Sequence, residues 1–537
     1  MAEATSLLHG TSDARDYVER SRPAVAYDPL FNFSLPDEEE YEFAQQYADL
    51  YYLRLDELKG TVESRAEERW RGFTVAGETV KRVKRVLDVK QGELSWAVGT
   101  IYVDLPHKPK VVEEVVSGLD ISEFVPITSY ADPKVVPRIM LEDPSGRLRL
   151  GGEMLKRQLL VTGVITAVLG TETAKGEFEV IEMLLPEPPP QPERWHLHDQ
   201  SLQEAEDGIE GDQAVKAPSK KIAFVSGLEM ANPDGDALEL ELLTQYLLGE
   251  VGVGQVPDSA TQICRLIIVG NSIHPKVSVL KPGDDIDMLI EMEPEDDAHG
   301  EEADEDGIYD DQGYNAMPAT ILDEFISELL PAIPVTLMAG DTDLTNRALP
   351  QQPIHTTLLP RSRTYGTENP ENPEDAPGAW FETVTNPWEG EIEGWRMLGN
   401  SGQALDDIAR YFNVKWPRGT GQDGRLKLME SMLRWRSNAP TAPDTLVTYS
   451  FSEGDPMTLE DCPHVFFVGN QPRFDTRVYC DSEGRRIRTF TIPRFCQSGE
   501  LVLLDTETLE AEVVKFDVGQ DADALGPVKV ENGDRPG

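Results

Sequence analysis

Apolar residues recur every three or four positions from Phe43 through Tyr47, Tyr51, Leu55, Leu58, Val62 and Ala66 to Trp70, the period of a helix with one apolar stripe. Gly60 followed by Thr61 predicts that one helix ends there and a second is capped, so residues 37–75 read as N-terminal helices. The stripe is either core packed on the next domain or a face that binds a partner. Residues 1–36 show no clear period and read as a flexible arm. Between 76 and 185 the period shortens towards that of strands. Leu94–Leu105, Arg147–Leu150, Leu159–Leu169 and Phe178–Leu184 are β-rich, with a turn from Gly170 to Gly176 joining the last two as a hairpin. Pro186–Pro192 and the acidic stretch that follows predict a flexible linker at 186–220. From 221 to 519 strand-like runs (Ile222–Ser226, Arg265–Val269, Val335–Met338) alternate with helix-like ones (Leu238–Leu248, Ile321–Leu330). Residues 520–537 read as a loose tail.

Short strands with glycines at bends suit a small Greek-key barrel of the oligonucleotide-binding (OB) type over 76–185. Alternating strands and helices indicate an α/β layered domain over 221–519, so the expected class is a multidomain α+β and α/β chain. At 537 residues, two or three domains are expected, each able to bury its own core.

Charge modifies this picture. With 49 Lys and Arg against 97 Asp and Glu the net charge is −48. Such a chain is poorly suited to wrapping nucleic acid or docking on anionic membranes. Much of the acidity is local: 284–311, including Glu291–Asp297 and Glu301–Asp306, reads as an insertion unable to fold alone, and 364–378 as a second insertion. No apolar run reaches the roughly 18 residues of a membrane span, and the first 20 residues lack the basic-then-apolar pattern of a secretory signal. Four cysteines without a Cys-x-x-Cys pair predict neither a disulfide framework nor a metal cluster, and a soluble, intracellular, reduced chain is expected.

Four strands end in glycine and polar residues: Ser226–Glu229, Gly270–Ile273, Gly340–Asp343 and Gly469–Pro472. That is the framework of a dinuclear metallophosphoesterase, whose two ions need bridging Asp and terminal His and Asn. The ligands are missing. Ser226 and Leu228, or Gly227 and Glu229 if shifted by one, stand where Asp-x-His belongs, Asn271 where the bridging Asp belongs, Thr342 in place of a histidine, and Asn470 and Pro472 in place of His-x-His. No catalytic residue, metal or cofactor is therefore expected. Asp341 and Asp343 could hold one hard cation, or cap their own loop. His196 and His198 form the only close histidine pair, beside the proline linker.

The barrel carries one basic cluster, Lys81–Arg85, which suits either a nucleic-acid groove or a nuclear localisation signal. Trp96, Tyr102, Phe124 and Tyr130 are available for base stacking, but none has basic neighbours in sequence, so direct DNA contact is expected to be minor or absent. Trp380, Phe381, Trp388 and Trp395 are candidate interface anchors or core.

A barrel followed by a phosphoesterase framework stripped of ligands resembles the B subunits of eukaryotic replicative DNA polymerases. The strings FVSGL (Phe224–Leu228), GDTDLTN (Gly340–Asn346), LPQQPIH (Leu349–His355), TNP (Thr385–Pro387), LGNSGQ (Leu398–Gln403), APTAPDTL (Ala439–Leu446) and CPHVFFVGN (Cys462–Asn470) are similar to those of polymerase delta small subunits. The resemblance implies a nuclear, non-catalytic accessory subunit in replication and repair. It further implies binding to the C-terminal metal-cluster domain of the catalytic chain and to a third subunit. Sharing with the translesion polymerase zeta is also implied.

Overall fold

In the computed structural model of the chain, the described residues are 22–30, 32–35, 49–75, 77–109, 128–132, 134–194, 220–232, 237–250, 258–274, 316–366, 380–412, 424–451, 454–516 and 530–532. The acidic insertion 284–311, His196 and His198, Phe124, Phe43, Tyr47 and nearly all of 364–378 lie outside them.

The barrel is built from Leu94–Asp104, Arg138–Asp143, Gly146–Gly151, Ile165–Glu172 and Phe178–Leu184. The first strand pairs with the second over one half and with the fourth over the other. The third and fifth run parallel, and the fourth and fifth form the expected hairpin, which closes the sheet in OB topology. Gly170 makes the closure possible: a Cβ there would lie 2.1 Å from the Glu179 carbonyl oxygen, at a break in register. One wall carries the helix Asp49–Trp70, whose Leu55, Leu58, Val62, Ala66 and Trp70 pack on Trp96, Val98, Ile165 and Leu169. Gly60 lies inside this helix, on its exposed side, rather than between two helices. An exposed glycine costs about 1 kcal/mol, less than burial of the stripe on either side of it returns.

The larger region has four layers. Phe381–Val384, Val335–Met338, Ile263–Val269 and Lys221–Val225 run parallel in one sheet, extended antiparallel by Glu500–Asp505, Ala511–Lys515 and Val530–Asn532. The second sheet holds Tyr27–Leu30, Trp388–Ile392, Trp395–Asn400, Val465–Gln471, Arg486–Pro493 and Asp475–Cys480. Phe224, Ile267 and Met338 of the first sheet face Trp388, Phe467 and Phe490 of the second. Burial on both faces explains the continuous apolar runs of the parallel strands. Helices Ala237–Leu248 and Met317–Leu329 cover the first sheet, with Leu322, Phe325, Ile326 and Leu329 buried at helical spacing. Helices Gln403–Tyr411 and Gly424–Trp435 cover the second.

Three sequence expectations are corrected. First, the domains are not wholly separate: beside clusters of their own, they share one in which Leu141, Leu148 and Val168 of the barrel join Leu405, Met432, Trp435 and Ala442. Second, the linker does not begin loosely at 186. Residues 186–194 lie as a strap along the larger region, with Glu187 gripped by Arg434 at 2.7 and 2.9 Å and its carbonyl by Arg436 at 2.6 Å. Pro189 and Pro190 accept from Arg485 and from the Cys462 amide. Proline segments lose little freedom on docking, which favours such a strap. Third, part of the arm is built in. Tyr27–Leu30 extends the second sheet, Phe33 is buried, and Arg22 donates to the carbonyls of Ala260, Ile263 and Leu247.

The joint between barrel and sandwich is polar as well as apolar. Arg54, fully buried, reaches from the helix to Asp455 at 2.5 Å and to the carbonyls of Pro440 (2.6 Å) and Ala442 (3.1 Å). Asp407, equally buried, accepts hydroxyl bonds at 2.5 Å from Tyr130 of the barrel and from Thr441 and Thr445. Lys108 pairs with Asp444 at 2.7 Å. Gly163 sits where a Cβ would lie 1.9 Å from the Pro440 carbonyl oxygen.

Candidate functional site

The parallel strands Lys221–Val225, Ile263–Val269 and Val335–Met338 end on the same side, and Val465–Gln471 of the facing sheet ends beside them, so the four glycine-led loops converge. The turns are sharp. Gly227, Gly270, Asn271 and Asn470 all have left-handed backbone, with φ between 54° and 71°.

Within this crevice the polar side chains bond to the loops themselves. The Ser226 hydroxyl donates to the Pro493 carbonyl (3.0 Å) and accepts from the Asn470 amide (2.8 Å). Asn470 Nδ2 donates to the carbonyls of Val269 (3.1 Å) and Ser401 (2.8 Å). Asn271 Oδ1 accepts from the Thr342 amide at 3.3 Å, while Leu228 is buried among apolar neighbours. Asp343 accepts from the amides of Ser272 (2.8 Å), Ile273 (3.1 Å) and Gly340 (2.7 Å). Burial pushes its pKa up to about 6, with the amide bonds pulling in the opposite direction. Asp341 points elsewhere: it is 55% exposed and lies 3.6 Å from Arg347. The two carboxylates do not share a cation site, and Asp343 is a loop cap.

Behind these loops lies a ring of amides that the metal-ligand reading passed over. Asn386 Nδ2 contacts Gln351 Oε1 (2.9 Å) and Ser401 Oγ (2.7 Å), and Gln351 donates to the Gly340 carbonyl (2.8 Å). Asn400 donates to Asn438 at 2.9 Å. Between them is a cavity of ≈ 10 Å³, about the room one water needs. The four amide residues that line it, Asn386, Asn400, Gln403 and Asn438, fall in or next to strings singled out in the sequence. Their signal was the Asn, Gln and Ser residues within those strings, of which only Asn400 lies in a strand.

Chemically, the crevice offers amides and hydroxyls, which are weak ligands for a divalent pair. Among the described residues, no three His, Cys, Asp or Glu side chains are grouped to hold a metal ion. His464 is buried in the opposite direction, its pKa lowered by burial and its Nδ1 accepting from the Arg396 amide. The residues present do not fit a dinuclear centre.

Three of the four basic residues in the barrel's cluster are paired with carboxylates. Lys81 pairs with Glu93 (3.1 Å), Arg82 with Glu63 (2.6 Å) and Glu67 (2.5 Å), and Arg85 with Asp88 (2.8 Å). Trp96 and Tyr130 are buried. Tyr102 differs from the expectation that no aromatic has basic neighbours: Lys108 and Arg147 lie 4.2 and 4.8 Å from its ring. Strand pairing creates this contact, which chain order hides. Of the candidate anchors, Phe381 and Trp388 are core, and Trp395 is covered by Arg194 at 4.1 Å. Only Trp380 is substantially exposed, at 44%.

Known proteins share both regions. A family model for the B subunits of DNA polymerases alpha and epsilon matches residues 222–476, and one described as DNA polymerase delta subunit OB-fold domain matches 46–183. The chain is 32% identical over 525 residues to the DNA polymerase delta small subunit of Saccharomyces cerevisiae, covering 93% of this chain and 96% of that one. To the corresponding subunit of Arabidopsis thaliana it is 31% identical over 472 residues (88% and 91%). The DNA polymerase II small subunit of Archaeoglobus fulgidus is 24% identical over 265 residues, covering 48% of this chain and 44% of that one.

Proposed function

The chain belongs to the family of DNA polymerase delta small subunits, and from that premise we propose that it is a non-catalytic accessory subunit, a rigid nuclear scaffold for the polymerase delta assembly. Its partners in this reading are the C-terminal metal-cluster domain of the catalytic chain and the third subunit, and the same scaffold also serves polymerase zeta. The observation that carries the reading is the joint. Barrel and sandwich share one apolar cluster and are pinned by Arg54, Asp407 and Lys108, so a partner lying across both meets a surface of fixed shape. Preorganised surfaces bind with less ordering cost.

The sandwich contributes support rather than hydrolysis in this reading, an inactive phosphoesterase-like body. Ser226, Asn271, Asp343 and the Asn470 Nδ2 are engaged with backbone groups of neighbouring loops, and of their side-chain oxygens the buried Asn470 Oδ1 has no hydrogen-bond partner among the described residues. Among the described residues no helix is long and apolar enough to cross a membrane.

Two measurements test this. The purified chain with bis-p-nitrophenyl phosphate and manganese is expected to show no turnover above Asp341→Ala and Asp343→Ala variants. Turnover abolished by either change would return the crevice to catalysis. Co-expression with the polymerase delta catalytic chain is expected to yield a stoichiometric complex, and a catalytic chain that never co-purifies refutes the scaffold.

A further inference from the structure

The strand Tyr27–Leu30 closes an edge that the rest of the sandwich leaves open. Without it Trp388–Ile392 would be the outermost strand of the second sheet, with one row of backbone groups unpaired. The pairs from Tyr27 with Ile392 to Leu30 with Glu389 cover that edge antiparallel. The covering strand guards the new edge in turn, because Asp28 is exposed and Pro29 has no amide to offer a further strand. Side chains fix this arm at three points of equal spacing, Arg22, Tyr27 and Asn32. Arg22 donates to the carbonyls of Ala260 (2.8 Å), Ile263 (3.0 Å) and Leu247. The Arg265 guanidinium lies 3.6 Å from the centre of the Tyr27 ring, whose hydroxyl donates to Glu382. Asn32 Nδ2 donates to Glu389 at 2.5 Å. Ala26 exchanges two bonds with Glu393, its amide donating to the carboxylate (2.8 Å) and its carbonyl accepting from the amide (2.9 Å). Each of the three carboxylates that receive the arm also has a cation from the sandwich: Glu382 has Arg265 at 3.0 Å, Glu389 has Arg396 at 3.7 Å and Glu393 has Lys220 at 2.9 Å.

We propose that this edge is a strand-addition site for an extended peptide carrying Arg, Tyr and Asn at that spacing. Its occupant is the chain's own arm, residues 22–30 and 32–35, a latch that leaves and returns while the two sheets stay folded. The site gives the affinity of a backbone ladder, and the three side-chain positions give the selectivity. Departure of the arm strands no buried charge, because the arm brings neutral donors to Glu382, Glu389 and Glu393 and each keeps its cation. Little apolar surface holds it: among the arm's described residues only Phe33 is buried, while Val25 and Tyr27 are partly so. A short edge ladder with few buried apolar contacts lies at the low end of local stability in a fold.

The test uses the full chain with a protease recognition sequence inserted between Leu35 and Asp49. After cleavage the arm fragment is expected to co-elute with the body in gel filtration. It is then expected to exchange, in native buffer, for an excess of fluorescently labelled synthetic peptide of residues 22–35. Peptides with Arg22→Ala or Tyr27→Ala are expected to bind about tenfold more weakly or worse by fluorescence anisotropy. Asp28→Asn, at an exposed position, is expected to leave binding unchanged. In the uncut chain the amides of Tyr27, Asp28 and Leu30 are expected to exchange with deuterium roughly a hundredfold faster than those of Val465–Gln471, inside the same sheet. A fragment that exchanges only in urea, a scrambled peptide that binds as well, or equal amide exchange in the two strands overturns the proposal. So does a fragment lost on cleavage whose peptide does not rebind. None of these outcomes touches the accessory-subunit reading, which co-purification with the catalytic chain tests separately.

Discussion

Replacing Arg54 with Met tests the rigid joint at its most buried point. The change keeps much of the side-chain volume but leaves the Asp455 carboxylate, fully buried, without its cation, and the carbonyls of Pro440 and Ala442 without a donor. Breaking one side of a buried ion pair costs about 3–5 kcal/mol, a large part of the ~5–15 kcal/mol that holds a typical native fold. Asp455→Leu alone is expected to cost a similar amount, because it strands the guanidinium and frees the Met457 amide. The double variant removes both charges, so the two losses are expected to be far from additive, with a coupling of about 2–3 kcal/mol. Urea unfolding at 25 °C, followed by tryptophan fluorescence and far-ultraviolet circular dichroism, measures the cycle. The shared core further requires both probes to report one transition. A single-variant cost below about 1 kcal/mol, strict additivity, or separate barrel and sandwich transitions would refute the joint.

Gly163→Ala places a methyl 1.9 Å from the Pro440 carbonyl oxygen at φ 93°; a loss of about 3 kcal/mol or more is expected in the same unfolding assay, and a neutral result contradicts the close approach. Tyr130→Phe removes one of three hydroxyl donors to the buried Asp407 carboxylate, for an expected loss of about 1.5–3 kcal/mol, with Thr441→Val comparable. Asp343 gives a pH signature of opposite sign to that of most native carboxylates. Its folded pKa, about 6, lies above the unfolded value, so the folded state holds the extra proton between roughly pH 4 and 6 and stability falls as pH rises through that window. Asp343→Asn is expected to remove this part of the slope, on the order of 2–3 kcal/mol between those limits; equal pH profiles for the two proteins would show that the aspartate is not buried as described.

Much of the local structure was readable from residue order. The stripe from Leu55 to Trp70 has a helix's period, and both strands and turn of the closing hairpin are announced by β-rich runs around Gly170–Gly176. The four loop tips were also readable, because a strand ending in glycine and polar residues is a local pattern. Gly60 misled because propensity is weak beside the burial of an apolar face. The Lys81–Arg85 cluster misled for a different reason: its neutralising carboxylates Glu63, Glu67 and Glu93 come from other elements.

Sequence alone thus determined many of the helices, strands and turns, and that the loop tips lack imidazoles and most carboxylates. These depend on interactions between near neighbours and on side-chain chemistry. Tertiary structure alone decided that 22–30, 32–35 and 186–194 are fastened to the sandwich and that Arg54 joins Asp455, 401 positions away. Each of these depends on pairing across long stretches of chain. Its energy comes from desolvation and geometry at the meeting point, quantities that no local pattern of residues encodes.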